Sequence, residues 1–311
     1  MKCIIQIPCF NEARTLPVTL NDLPKSLPGI DELEYLVIDD GSTDGTAEVA
    51  RQHGVHHVVG FRHNRGLARA FSLGLNACLE RGADIIVNTD ADNQYSGSDV
   101  EKLVAPLLRG EADMVIGDRQ TQTIDHFSGW KKFLQKQGSL LAGGFAGLRV
   151  PDATSGFRAL TREAALELNV TSDFSYTLET LIQAGHKRLA VVSLPVGTNE
   201  VLRRSRLFRS IFTFVKRSAG TMLRGYTTHQ PLKVFATAAA FAFAAAAVVF
   251  LRFLYFYYTR GAAGHVQSLI FGAVLFVAGT FLLTVGILAD LINNNRKLIE
   301  QLLKRQRDPR A

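Results

Sequence analysis

The sequence predicts an α/β domain built on a mainly parallel sheet, followed by interfacial helices and a two-helix transmembrane hairpin. Three observations carry this. Short apolar runs alternate with segments of helical periodicity, the runs end in acidic or glycine-containing loops, and two long uncharged stretches come late in the chain.

The first run, Cys3 to Pro8, has no basic stretch or cleavage signal before it, so the chain is expected to begin inside its fold. Leu16, Leu20 and Leu23 then recur at helical spacing. The second strand, Tyr35 to Ile38, runs into Asp39-Asp40-Gly41-Ser42-Thr43-Asp44-Gly45-Thr46, where small residues let the backbone turn closely around a ligand. Thr46 to Gln52 and Leu67 to Leu79 read as the next helices, and strands alternating with helices imply a parallel, doubly wound sheet. His53, His56, His57 and His63 surround an expected edge strand without a second ligand set, and no metal is assigned to them.

Ile85 to Asn88 is a buried-strand pattern that leads into Thr89-Asp90-Ala91-Asp92-Asn93-Gln94. In open α/β sheets ligands bind beyond the carboxyl ends of strands, which is where Asp90, Asp92 and the amide of Gln94 fall. Two carboxylates and an amide oxygen are hard donors suited to Mg²⁺ or Mn²⁺, and such an ion can hold a diphosphate. An Asp-x-Asp pair alone also fits a solvated turn.

Three elements together, Pro8-Cys9-Phe10-Asn11-Glu12, the Asp39–Thr46 loop and Asp90-Ala91-Asp92-Asn93-Gln94, resemble inverting glycosyltransferases of family 2. Asp152-Ala153-Thr154-Ser155-Gly156-Phe157-Arg158 extends the likeness to dolichyl-phosphate mannose synthases and bacterial polyprenyl-phosphate glycosyltransferases, over most of the first 230 residues. The resemblance implies a GT-A type nucleotide-sugar-binding domain and a hexose moved to a polyprenyl phosphate. It places the nucleotide against Pro8, Asn11, Glu12, Asp40 and Asp90, with Asp40 accepting from a base or ribose, and a metal on Asp90, Asp92 and Gln94. Asp39 and Asp44 suit turn chemistry and capping better than ligand contact. Gly66 fits either close approach of the donor or a plain turn. These motifs are common to GDP-mannose, UDP-glucose and N-acetylhexosamine donors.

For the acceptor phosphate the resemblance points first to Arg119, in Ile116-Gly117-Asp118-Arg119, where Asp118 departs from the usual serine. The family's Arg-x-x-x-Ser motif falls on Lys131 and Gln135, with Lys132 and Lys136 as register alternatives. Arg203 resembles an arginine on donor or acceptor phosphate, and Arg206 a basic position beside it; both equally suit lipid-facing charge. Asp92, Arg119 and Arg203 are thus the residues expected to carry catalysis. Asp152, Ser155 and Arg158 are expected around the acceptor, with an Asp152–Arg158 ion pair as the structural alternative, and Glu179 near the sugar.

At 311 residues and 34.1 kDa, the chain accommodates one domain of about 200 residues plus an appendage. The net charge of +7 invites an anionic partner, and its distribution selects a membrane over nucleic acid. Arg203, Arg204, Arg206, Arg209, Lys216, Arg217 and Arg224 precede the uncharged Val234 to Leu251, and Leu207, Phe208, Ile211, Phe212 and Val215 interleave with them as in a helix lying at the interface. Val266 to Ala289 is the second span. Basic residues before the first span and in the tail place both ends in the cytoplasm. A soluble domain with two buried helices is the weaker alternative. Cys3, Cys9 and Cys78 lack metal-ligand spacing and read as reduced cytosolic thiols.

The expected organisation is a catalytic domain over 1–202, amphipathic juxtamembrane helices over 203–230, two spans over 231–291 and a basic cytoplasmic tail over 292–311, in a multi-pass protein of the cell (inner) membrane. Its partners are a nucleotide-diphosphate sugar and a polyprenyl phosphate lipid, with homo-oligomerisation open. The competing readings are a family 2 transferase acting on a saccharide or other hydroxyl, and a non-catalytic nucleotide-sugar-binding scaffold.

Overall fold

A computed structural model describes residues 1–120, 143–144, 146–148, 150–170, 176–199, 220, 226–228, 230–260 and 266–307. The chain divides into two compact units, Met1–Leu223 with Lys304–Ala311, and Arg224–Leu303.

In the first unit β1 (Lys2–Cys9), α1 (Leu16–Asp22), β2 (Glu32–Asp40), α2 (Thr46–Gln52), β3 (His57–Phe61), α3 (Leu67–Glu80) and β4 (Ile85–Asn88) follow the expected alternation. After them come α4 (Val100–Leu108), β5 (Met114–Asp118), β6 (Arg158–Thr161), α5 (Arg162–Glu167), α6 (Tyr176–His186) and β7 (Val191–Pro195). Among the described residues the sheet has seven strands in the order β3-β2-β1-β4-β6-β5-β7, which puts the histidine-flanked β3 at an edge. This is the mainly parallel sheet expected, and β6 is its exception, running antiparallel to both β4 and β5. Its four residues are too few to announce a direction.

Alternate side chains of each strand enter two cores. Ile4, Leu36, Ile38, Ile86 and Ile116 pack with Phe71 and Leu75 of α3 and Leu181 of α6. Ile5, Ile7, Val37, Val87 and Val115 pack on the opposite face with Leu16 and Leu20 of α1 and Leu103 of α4. Both faces are covered, so the central strands are apolar almost throughout, and the polar residues among them stand out.

The second unit contains α7 (Pro231–Arg260) and most of α8 (Val266–Arg307). Both contain apolar stretches long enough to cross a membrane, and only 11 % and 17 % of those stretches is buried, which a soluble core helix would not tolerate. The two helices pack through glycine. A β-carbon on Gly272 or Gly279 would lie 2.8 Å from the ring of Phe250 or Phe243, and one on Gly286 would lie 2.8 Å from the Phe235 β-carbon, so these phenylalanines sit where another residue's side chain would be. The stretch expected as a basic tail is helical as far as Arg307.

Candidate functional site

Strand order reverses between β1 and β4: β1 leads to β2 and β3 on one side, while β4 pairs with β6 on the other. Gln6 pairs with Asn88 across this point, so the chain beyond Pro8 and the chain beyond Thr89 leave the sheet at the same level. A ligand crevice belongs there in an open α/β sheet.

On the β1–β2 side the loops are tied to each other by side chains. Asn11, in a left-handed conformation at φ 54°, donates its backbone N–H to Ser42 Oγ at 2.9 Å and accepts from Thr43 N at 2.8 Å. Glu12 is buried and accepts from the Thr15 hydroxyl at 2.6 Å. Asp39 accepts from Ser42 N, and Asp44 from Ala13 N and Thr46 N, which is turn and capping chemistry. Although burial pushes the Asp44 carboxyl upward, hydrogen bonds from Thr46 and Ala13 hold it below its ordinary value.

Asp40 lies almost wholly out of solvent. It accepts from Asn64 Nδ2 at 2.9 Å, Arg65 N at 2.7 Å and Gly66 N at 2.9 Å. A carboxylate has about four acceptor positions, so the 63–66 loop takes most of them and about one is left for a ligand. Burial raises its pKa, opposed by the amides of Arg65 and Gly66. Gly66 has φ 93° and ψ 153°, a conformation that requires glycine. Gly41 meets the same loop so closely that a β-carbon there would lie 2.4 Å from the His63 carbonyl carbon.

Beyond β4, Asp90 and Asp92 are half-buried, and Asp92 accepts from Gln94 N at 3.3 Å. Asn93 between them has φ 55°, and its buried Oδ1 has no hydrogen-bond partner. Gly156 packs on the Asp90 carboxylate: a β-carbon would lie 3.1 and 3.2 Å from its oxygens and 2.8 Å from the Tyr176 hydroxyl. Among the described residues no three His, Cys, Asp or Glu side chains form a metal cluster. The local donor set is two carboxylates with neighbouring amide oxygens, one of them orphaned, and it fits a hard divalent cation that keeps some of its water.

Across the crevice, Asp152 finds its partner in Arg119. Arg119 forms a two-pronged pair with Asp152, Nε to Oδ2 at 2.7 Å and Nη2 to Oδ1 at 3.0 Å, and Nη2 also reaches Thr154 Oγ1 at 3.0 Å. Asp152 is buried, which alone would raise its pKa; the guanidinium holds it below the usual carboxylate range. Among the described residues the remaining nitrogen, Nη1, has no hydrogen bond. The alternative Asp152–Arg158 pair is not formed. Arg158 is fully buried and donates to the carbonyls of Ala153, Ser155 and Thr177 and to Thr180 Oγ1, so it braces the 153–155 loop against α6. Glu179 is half-buried on α6 and accepts from Gln183 Nε2 at 3.4 Å, and Asp118 caps Gln120 N at 2.9 Å. Lys131, Lys132, Gln135, Lys136, Arg203, Arg206 and, apart from Gly220, the amphipathic 203–225 stretch lie outside the described residues.

A buried polar network joins the two sides. Gln6 Nε2 donates to Asn88 Oδ1 at 2.9 Å, and Asn88 Nδ2 donates to Gly156 O at 2.7 Å and Tyr176 OH at 3.1 Å. Gly156 N donates to Tyr95 OH at 3.1 Å, and the Tyr95 ring lies beneath the Arg119 guanidinium. Tyr95 stacks on Phe157 and Tyr176 on Phe71. Sequence reasoning missed this network. Its signal is Gln6 and Asn88, polar residues within otherwise apolar central strands. Cys9, at the end of β1, is buried among Glu12, Asp39, Asp44 and Asp90, and burial together with those charges pushes its thiol far above the ordinary value.

The family model for glycosyl transferase family 2 matches residues 4–168, more than half of the chain. The chain is a family 2 glycosyltransferase. Along nearly its whole length this glycosyltransferase is similar to glycosyltransferase AglJ of Haloferax volcanii, with 30% identity over 96% of this chain and 97% of the relative. It is also 30% identical to the undecaprenyl-phosphate mannosyltransferase of Micrococcus luteus, over 63% of this chain and 83% of that protein. In fold, the GT-A architecture matches glucosyl-3-phosphoglycerate synthase from Mycobacterium tuberculosis, solved with Mn²⁺ and UDP, at TM-score 0.55 and 23% identity over 73% of this chain and 79% of the other.

Proposed function

We propose that this glycosyltransferase moves a hexose, with inversion, from a nucleotide-diphosphate sugar of the GDP-mannose or UDP-glucose type to a polyprenyl phosphate at the cytoplasmic membrane face. The observation that carries the reading is one loop serving two sites: in Asp152–Arg158, Gly156 packs on the Asp90 carboxylate while Asp152 presents Arg119. The two apolar helices and the similarity to an undecaprenyl-phosphate mannosyltransferase support a lipid-linked acceptor.

The chemistry fits a phosphate nucleophile. A phosphate monoester, with its second pKa near 6, is largely dianionic at neutral pH and needs no dedicated base. One of its oxygens attacks the anomeric carbon, the bond from that carbon to the nucleoside diphosphate breaks, and the configuration inverts. Arg119, oriented by Asp152 and seated over Tyr95, offers its remaining Nη1 to the acceptor phosphate. Asp90, Asp92 and the Gln94 amide would hold Mg²⁺ or Mn²⁺, which when bound neutralises the leaving diphosphate. Pro8, Asn11, Glu12 and Asp40 shape the nucleotide end, and Lys131, Gln135, Arg203 and Arg206 are assigned to the acceptor by their motifs. A hydroxyl acceptor would instead require a general base.

The test is purified protein incubated with labelled GDP-mannose, UDP-glucose and UDP-N-acetylhexosamines together with polyprenyl phosphate, with and without divalent metal. A metal-dependent lipid-linked sugar is the expected product. Transfer to a non-phosphorylated acceptor with none to polyprenyl phosphate overturns the proposal. Arg119→Ala should lower catalytic efficiency toward polyprenyl phosphate by about 10²-fold while leaving nucleotide-sugar affinity within a few fold, the size expected for a charged contact made in the transition state.

A further inference from the structure

Helix α8 is longer than a bilayer requires. Its uncharged stretch, Val266 to Ala289, already covers about 36 Å at 1.5 Å per residue, against about 30 Å of hydrocarbon. Asp290, Asn293, Asn294, Asn295, Arg296 and Lys297 then mark the helix's exit from the apolar layer. The helix nevertheless continues to Arg307, about 25 Å further. It does so without α7, whose first turns, Leu232 and Phe235, pack at Gly286.

This projecting end is amphipathic in an inverted sense. The polar side is engaged by its own chain: Asn293 is only 9% exposed, Arg296 pairs with Glu300 at 2.9 Å, Lys304 binds Glu167 at 2.5 Å and Arg307 reaches Asn169 Oδ1 at 3.4 Å. The apolar side is bare. Leu291, Ile292, Leu298, Ile299 and Leu302 are between 56 and 69% exposed, beyond the point where lipid tails would cover them.

We propose that this stripe is the contact surface for a second copy of the chain, formed as a parallel coiled coil of α8 ends. Leu288, Leu291, Asn295, Leu298 and Leu302 alternate spacings of three and four, the seam of a heptad repeat, with an asparagine at a core position where it can pair with its own copy and fix the register. Two copies inserted in one membrane share orientation and depth, so like residues stand level and the symmetric parallel pairing follows. Charge permits it. The residues flanking the seam, Ile292, Asn294, Ile299 and Gln301, are uncharged, and Arg296, Lys297 and Lys304 fall outside it; the next seam position is Arg305, so the apolar pairing ends at Leu302. This surface is independent of the transfer chemistry proposed above.

The test uses the full chain in nanodiscs with single cysteines introduced at a seam position, Leu298→Cys, and at its neighbour off the seam, Lys297→Cys. Mild oxidation should convert most of the Leu298→Cys protein to a covalent dimer and leave Lys297→Cys monomeric, because only the seam brings paired β-carbons within disulfide reach. Leu298→Ser with Leu302→Ser should lower the mass in light scattering from that of a dimer or higher multiple to that of one chain. Absent or equal cross-linking at the two positions overturns the proposal. So does quenching of a fluorophore at Leu298→Cys by spin-labelled lipid, which would assign the stripe to the bilayer.

Discussion

Arg119→Ala is informative beyond catalysis, because the substitution strands a buried carboxylate. Asp152 has no solvent-exposed side-chain surface, and the Arg119 side chain retains 15% of its own. Removing one partner of a buried pair costs about 3–5 kcal/mol, and the partial exposure of Arg119 places the loss at the lower end, near 3 kcal/mol. At about 2–4 °C per kcal/mol for a domain of this size, the catalytic unit should melt roughly 6–12 °C lower. pH gives a second signature. In the native protein Arg119 holds Asp152 below its usual value, so the stabilisation is present above the unfolded pKa, near 3.9, and is lost as pH falls through the folded value. Without Arg119, burial dominates and raises the folded pKa above the unfolded one, so the variant should gain stability as pH falls from 7 toward 4. The gap between the two proteins therefore narrows on acidification. Thermal melts followed by circular dichroism across that range measure both effects, and Arg119→Ala with Asp152→Asn should recover part of the loss. An unchanged melting temperature for Arg119→Ala at pH 7 would refute the view that this pair holds the Asp152–Arg158 loop.

Asp92→Asn should abolish turnover and weaken Mn²⁺ binding in electron paramagnetic titrations while leaving the melting temperature near native, since Asp92 is half-buried and packs no core; near-native activity in metal-titrated assays would remove it from the metal set. Gly156→Ala should reduce both Mn²⁺ affinity and turnover, because the new methyl would crowd the Asp90 oxygens at 3.1 and 3.2 Å and the Tyr176 hydroxyl at 2.8 Å; native Mn²⁺ titrations in a folded variant would show that the loop gives way freely. Impermeant thiol labelling of cysteines introduced at Gly264 and Arg307 should occur from opposite sides of the membrane. Labelling of both from one side would rule out the hairpin.

The alternation of strand and helix was legible because each period is local. The helix Thr46–Gln52 emerges with its predicted limits, since Asp44 and the glycine before it punctuate its start within the sequence itself. Direction and partnership were less legible. The antiparallel β6 depends on a chain path that four residues do not encode, and the partner of Asp152 is 33 residues away, while the arginine close by in sequence, Arg158, is occupied with carbonyls. Asp40 was expected to accept from a base or ribose; its bonds within the protein are to the 64–66 loop, whose approach depends on the fold of β3 and α3. The Gln6–Asn88–Tyr176 network could have been suspected from two polar residues in apolar strands, although its third member comes from a distant helix.

Cys9 lies at the end of the crevice proposed to take the nucleotide, yet its surroundings make it chemically quiet. Thiolates, not thiols, react with alkylating agents and peroxides, and burial among carboxylates keeps Cys9 protonated at any physiological pH. Cys3 is pushed up to about 12 and Cys78 also upward, both by burial. The native chain therefore has no readily modified sulfur among its three cysteines, all of them buried. Oxidants that disable exposed-thiol enzymes should leave the crevice beside Cys9 untouched, and a reporter thiol placed anywhere on the surface will answer alone.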